Sequence, residues 1–155
     1  MKKILKNNLI LLSLPLFLLS CGKTKTKFHL DKVENGQFLS ISAEGLYEKV
    51  ITNNESIVVL FKIDDCASCK DAYEIIDIYV GLRNCIMYYL DFSKVDENQY
   101  NLVYQTMTYV DDAYNFPKYG DSLSFPVAYG FLDKAVVFEV KDNFVNFFEH
   151  NIEYS

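Results

Sequence analysis

Residues 61–71 read FKIDDCASCKD, and the two cysteines three positions apart, Cys66 and Cys69, stand between an apolar run and a helical one. Upstream, Ile57 to Ile63 is almost continuously apolar and rich in β-branched residues, the pattern of a strand covered on both faces. Downstream, Ala72, Ile75, Ile76, Tyr79, Val80 and Leu82 recur at helical spacing, with Gly81 and Asn84 marking the far end. A buried central strand therefore feeds a helix whose first turn holds both cysteines. At that spacing they are neighbours on the helix surface, inside the roughly 4.4–6.8 Å between Cα atoms that a disulfide tolerates. The unpaired N–H groups and the positive dipole end of a helix start also favour a thiolate at Cys66, and the thiolate is the nucleophile.

The rest of the chain extends this pattern. A short strand over Gln37 to Ile41, a cap at Ser42 and a helix carrying Leu46, Val50 and Ile51 precede the central strand. Cys85 to Phe92 reads as a second buried strand, and Glu97 to Tyr114 as a helix with the stripe Tyr100, Val103, Tyr104, Met107 and Val110. After a turn-rich stretch with Pro117 and Gly120, SFPVAYGF and AVVFEV form a hairpin about Asp133 and Lys134. Asp142 then caps a last helix holding Phe144, Val145, Phe147 and Phe148. Alternation first and a hairpin last predicts an α/β fold, a mixed central sheet with helices on both faces.

A buried strand, C-x-x-C opening a helix, a proline starting a hairpin strand and a final helix resemble the thioredoxin-like fold. The resemblance spans about Gly36 to Tyr154 and rests on Cys66, Cys69, Pro126 and the element order. It implies that Cys66 attacks a client disulfide and Cys69 resolves the mixed disulfide. It also places Pro126 where the family keeps a cis proline, with Phe125 presenting its backbone N–H and C=O to an extended client. Three positions depart from the family pattern. Asp65 stands where a tryptophan is usual, Ala67-Ser68 replace Gly-Pro, and Leu60 replaces the buried acid six residues before the first cysteine. Water or Asp64 would have to take the proton from Cys69.

The acids ahead of Cys66 oppose the helix end. At about 6 Å, repulsion between Asp65 and a Cys66 thiolate is roughly 0.7 kcal/mol in a water-like dielectric and about 2.8 at an effective value of 20. Lys62 offsets part of this if its ammonium reaches the sulfur, so Asp65 and Lys62 are candidate tuning residues. A poorly stabilised thiolate implies a reducing rather than strongly oxidising potential. The rival reading is an inert disulfide, common in exported domains, although so short a loop constrains the unfolded chain weakly. Two cysteines with His29 and His150 near the ends make a poor zinc site, and no metal or cofactor is expected. Cys85 reads as a core residue. Tyr119, Phe125 and Tyr129 are candidates for a peptide-accepting groove.

The N-terminus carries a different message. Lys2, Lys3 and Lys6 precede an apolar run from Leu9 to Leu19, the basic, apolar, small-residue order of an export signal and too short to span a bilayer. Leu18-Leu19-Ser20-Cys21 resembles the lipobox of bacterial lipoproteins, which implies a lipid-bearing Cys21 held at the outer face of the cell membrane. The expected layout is a signal peptide over 1–20, a tether over 21–35 with Lys23, Lys25 and Lys27 facing headgroups, and a thioredoxin-like domain over 36–155. Without residues 1–20 the charges are 12 basic against 21 acidic, a net −9, which argues against a nucleic-acid partner. The expected partners are an exported cysteine-containing protein or peptide and a membrane redox partner. A thioredoxin-fold accessory or binding lipoprotein with permanently bridged cysteines, for example in peptide or bacteriocin export, is the alternative.

Overall fold

A computed structural model describes residues 27–155; Cys21, Lys23, Lys25 and the expected signal peptide lie outside the described residues. The strands are β1 (Phe28–Leu30), β2 (Gln37–Ser40), β3 (Ile57–Lys62), β4 (Ile86–Asp91), β5 (Val127–Leu132), β6 (Ala135–Val140) and β7 (Ile152–Tyr154). The helices are α1 (Ala43–Tyr47, continued by a π-helical turn over Glu48–Thr52), α2 (Ala67–Arg83), α3 (Glu97–Met107) and α4 (Phe144–Asn151). Five strands form one sheet in the order β2-β4-β3-β5-β6, with β2, β4 and β3 parallel and β5 and β6 antiparallel to their neighbours.

The continuous apolar run becomes the middle strand, buried from Ile57 to Phe61. Its period of two divides the core. Val58 and Leu60 pack with Ala72, Ile76, Val80 and Phe148 from α2 and α4. Ile57, Val59 and Phe61 pack with Leu46, Val50, Val103 and Met107 from α1 and α3. Helices therefore cover both faces, as the alternation of elements predicts.

Local chemistry sets the element ends. Ser42 caps α1 by accepting from the Gly45 N–H at 3.1 Å, and Asp96 with Gln99 closes a capping box on α3. Asn84 ends α2 in the left-handed conformation, φ 53°. Asp133 and Lys134 both take positive φ, as a two-residue hairpin turn requires.

Four expectations are corrected. The folded unit begins before Gly36: β1 pairs parallel with β7, and Phe28 and Leu30 are buried beneath it, so residues 28–35 are not tether. Scattered charge hides this, because only alternate residues of so short a strand are apolar. Second, α3 stops at Met107; Thr106 and Thr108 hydroxyls donate to the Leu102 and Tyr104 carbonyls, and Val110 is exposed. Third, Asn143, φ 49°, and not Asp142, occupies the cap position of α4. Fourth, Ile75 and Leu82 of α2 face outward, leaving the core to Ala72, Ile76, Tyr79 and Val80.

The join between β1 and the sheet also needs Gly36. A Cβ there would lie 2.1 Å from the Val80 carbonyl oxygen, so only glycine lets the chain pass α2 this closely. The Tyr79 and Tyr154 hydroxyls, 2.8 Å apart, fasten β7 to the same helix.

Candidate functional site

The carboxyl end of β3 delivers the chain to the amino end of α2 in four residues, Ile63 to Cys66. Asp65 makes the turn in the left-handed region, φ 56°, and Cys66 becomes the N-cap of α2. Its sulfur accepts the Cys69 N–H at 3.1 Å and lies 3.4 Å from the Ser68 hydroxyl. Cys66 and Cys69 are joined in a disulfide with Cα atoms 5.2 Å apart. Cys69 is buried, whereas Cys66 is part exposed. An incoming nucleophile or a client disulfide therefore meets Cys66 first.

The disulfide opens on a cleft of about 510 Å³ whose walls include Lys62, Asp64, Asp65, Tyr73, Glu74, Tyr89, Asp91 and Lys94. The parallel register sets Lys62 of β3 beside Asp91 of β4 at the sheet's carboxyl edge. The Lys62 ammonium lies 3.4 Å from Asp91 and 3.2 Å from Asp64, so two carboxylates share it. Lys94 approaches Asp91 at 3.0 Å from the solvent side. Burial alone would push the Asp91 carboxyl up; Lys94, the Ser93 N–H and Lys62 outweigh it and hold the group below the ordinary carboxylate range.

Ser93 ties this charge cluster to the disulfide loop. Its N–H donates to Asp91 at 3.1 Å, and its hydroxyl accepts the Asp64 N–H at 2.6 Å. Tyr89 meets Tyr73 edge to face at 5.0 Å and carries the Lys62 ammonium over its ring at 5.7 Å. The cleft thus has an aromatic wall from α2 and β4 and an ionic floor from the strand ends.

The Phe125-Pro126 peptide bond is cis. Since Val127 pairs with Phe61, Pro126 follows at the same sheet edge as Lys62 and the disulfide loop. Pro126 is buried and Phe125 half-buried, its ring 5.3 Å from Phe92; neither lines the cleft itself. Of the other aromatic candidates, Tyr119 is exposed, whereas Tyr129 is buried in the core and reaches only a separate cavity, with Tyr114 and Glu139, that does not include the disulfide.

The sequence reading missed Asp91, Ser93, Lys94, Tyr73 and Tyr89. One signal for Asp91 was present: an acid closing an apolar strand of parallel type, at the carboxyl end where α/β sheets gather their functional groups. Cys85 is a free thiol, fully buried, and burial raises it to about 11. His29 and His150 sit apart, one against Ser155 and the other on the Asn146 carbonyl. Among the described residues, no group of three or more His, Cys, Asp or Glu side chains is arranged to hold a metal ion, and no helix is long and apolar enough to cross a membrane.

No family model matches the sequence, and no curated protein matches it. Among solved structures, the chain is similar to thioredoxin O1 from Arabidopsis thaliana in its oxidised state, at 14% identity and a TM-score of 0.48, over 77% of this chain and 100% of that one. The chain's own topology decides its fold: the strand order, the C-x-x-C disulfide opening α2 from the central strand, the cis proline before β5 and the terminal helix. The fold is thioredoxin-like. A C-x-x-C disulfide in this setting is compatible with thiol-disulfide exchange.

Proposed function

We propose that this chain is a thiol-disulfide oxidoreductase lipid-anchored at the extracytoplasmic face of the cell membrane, acting on the cysteines of exported proteins or peptides. The observation that carries the reading is the Cys66–Cys69 disulfide at the N-cap of α2, open to a cleft on its Cys66 side. In the reducing direction the Cys66 thiolate attacks one sulfur of a client disulfide, forming the Cys66-client bond and releasing the other client sulfur as thiolate. Cys69, having lost its proton to solvent, attacks Cys66; the internal disulfide forms, and the second client thiolate leaves. Two electrons pass to the client, and a membrane partner must return them. The oxidising direction runs the same steps backward. Membrane attachment rests on the Leu18-to-Cys21 sequence and the basic segment after it.

The helix start supports the role of Cys66, because the Cys69 N–H already points at its sulfur. Phe125 and Pro126, at the same sheet edge, are the candidates for holding an extended client.

A second reading, a redox-inert binding lipoprotein of the same fold, is favoured by one feature. Lys62, the candidate counter-charge on the strand that leads to the disulfide, is taken up by Asp64 and Asp91. The equilibrium reduction potential of the pair separates the two, titrated against glutathione and dithiothreitol with thiol alkylation as readout. A value between about −120 and −270 mV supports exchange; a pair resisting reduction below about −300 mV supports the inert bridge. On the first outcome, Cys69→Ala should trap clients as mixed disulfides.

A further inference from the structure

The outward side of α2 carries Ile75, Ile78 and Leu82, which are 47%, 66% and 77% exposed. With 3.6 residues per turn, these three fall in a band about 60° wide, and Asp71 heads the same band at the disulfide end. None of the three belongs to either core. A surface helix ordinarily turns polar residues outward, so a row of large aliphatics here serves no packing purpose among the described residues.

The borders of the band differ. On one side run the exposed acids Glu74 and Asp77, followed by Gly81, where an added Cβ would meet nothing within 4 Å. Gly81 leaves a shelf beside Ile78 and Leu82. On the other side Tyr79 and Arg83 are closed against α4 and β7 by the Arg83–Glu149 ion pair and the Tyr79–Tyr154 hydrogen bond. Glu74 has Lys70 at 3.9 Å, whereas Asp71 and Asp77 have no ion-pair partner among the described residues. The band begins soon after Cys69 and ends about 20 Å from it, at 1.5 Å per residue.

We propose that this face of α2 receives the client, and that the client is a cationic segment with apolar residues along one side, lying on Ile75, Ile78 and Leu82 with its cysteine toward Cys66. Charge decides the occupant. Asp71 at the head of the band, Asp77 beside it and Asp65 ahead of Cys66 have no ion-pair partner among the described residues, and they attract lysine and arginine and repel an acidic chain or anionic headgroups. The inference rests on the exchange reading in naming the bound segment a client of Cys66; the binding itself needs no free thiol.

The test uses the oxidised full chain in nanodiscs of neutral phosphatidylcholine. A short fluorescent peptide of leucine and lysine, and its leucine-glutamate counterpart, are titrated by anisotropy. The lysine peptide should bind at least about tenfold more tightly than the glutamate peptide. Ile78→Asp with Leu82→Asp should cost at least about tenfold, and Asp71→Asn with Asp77→Asn should weaken binding and flatten its salt dependence. Both pairs sit on exposed positions, and circular dichroism should be unchanged. Equal binding of the two peptides, or undiminished binding by both variants, would overturn the proposal. So would self-association of the native chain that the Ile78→Asp, Leu82→Asp variant loses, since the occupant would then be a second copy. Because Cys66 is bridged throughout, failure here leaves the exchange reading standing, and an inert pair is detected separately by its potential.

Discussion

Replacing Asp91 by asparagine keeps the size of the side chain and removes its charge, leaving Lys62 with one carboxylate in place of two. The Lys62–Asp91 separation of 3.4 Å corresponds to roughly 1.2 kcal/mol in a water-like dielectric and about 4.9 at an effective value of 20. Asp91 is 7% exposed and Lys62 15%, which puts the pair nearer the second limit. Two things reduce the loss. Asp64 remains at 3.2 Å, and Lys94, 75% exposed, contributes no more than about 1 kcal/mol. The expected destabilisation is about 2–3 kcal/mol, below the roughly 3–5 that follows from stranding a fully buried charge. Urea denaturation with the disulfide kept oxidised should show a lower midpoint at an unchanged slope. Lys62→Met combined with Asp91→Asn should cost less than the sum of the two by at least about 1 kcal/mol. The pH dependence carries a sign. Folding lowers the Asp91 carboxyl below its unfolded value of about 3.9, so its stabilisation is present above that value and is lost as pH falls through the folded one. The penalty for Asp91→Asn should therefore be full at neutral pH and shrink in strong acid. A penalty under about 0.5 kcal/mol at neutral pH, or one independent of pH, would refute the account of a buried ionic floor.

Three further outcomes follow from the fold. Phe28→Ala should cost about 3–5 kcal/mol and lower Tm by roughly 10 °C or more, because Phe28 is 6% exposed and packs edge to face on Phe138; no change would return residues 28–35 to the tether. Gly36→Ala should cost about 1–3 kcal/mol, since the clash is with the Val80 backbone and not with a side chain that can swing away; an equally stable variant would contradict the close approach. Cys85 should resist iodoacetamide in the folded chain and react once urea unfolds it, because burial both shields it and raises its thiol to about 11; rapid labelling of the native chain would contradict that.

The elements legible in the sequence were those whose pattern reports burial directly. Residues 57–61 announced a central strand because a strand covered on both faces cannot alternate, and Asn84 announced the end of α2 because few residues accept a left-handed cap. β1 was illegible for the opposite reason. Three residues with one face buried offer two apolar positions, no more than a loop has, and its partner β7 lies more than a hundred positions away. Ile75 and Leu82 misled through their chemistry, since an aliphatic residue at helical spacing reads as core whether the fold uses it or leaves it for another molecule.

Of the site, the cysteines and the proline were legible because each owes its place to local geometry, whereas the charges owe theirs to register. Lys62 reads along the chain as a cation four residues before Cys66; across the sheet it stands beside Asp91. With two carboxylates within 3.4 Å, its ammonium is held away from any role as a free counter-charge. Stabilisation of a Cys66 thiolate then falls mainly to the N–H groups of the helix start, of which Cys69 already donates at 3.1 Å. Removing the lysine and one of its carboxylates together should consequently leave the redox balance nearly untouched. Lys62→Met with Asp91→Asn is expected to move the potential of the pair by less than about 30 mV, the equivalent of a tenfold change in equilibrium constant for two electrons. A larger shift toward more negative potentials would mean that the ammonium does reach the sulfur, and the ionic floor would then be part of the redox chemistry instead of the scaffold beneath it.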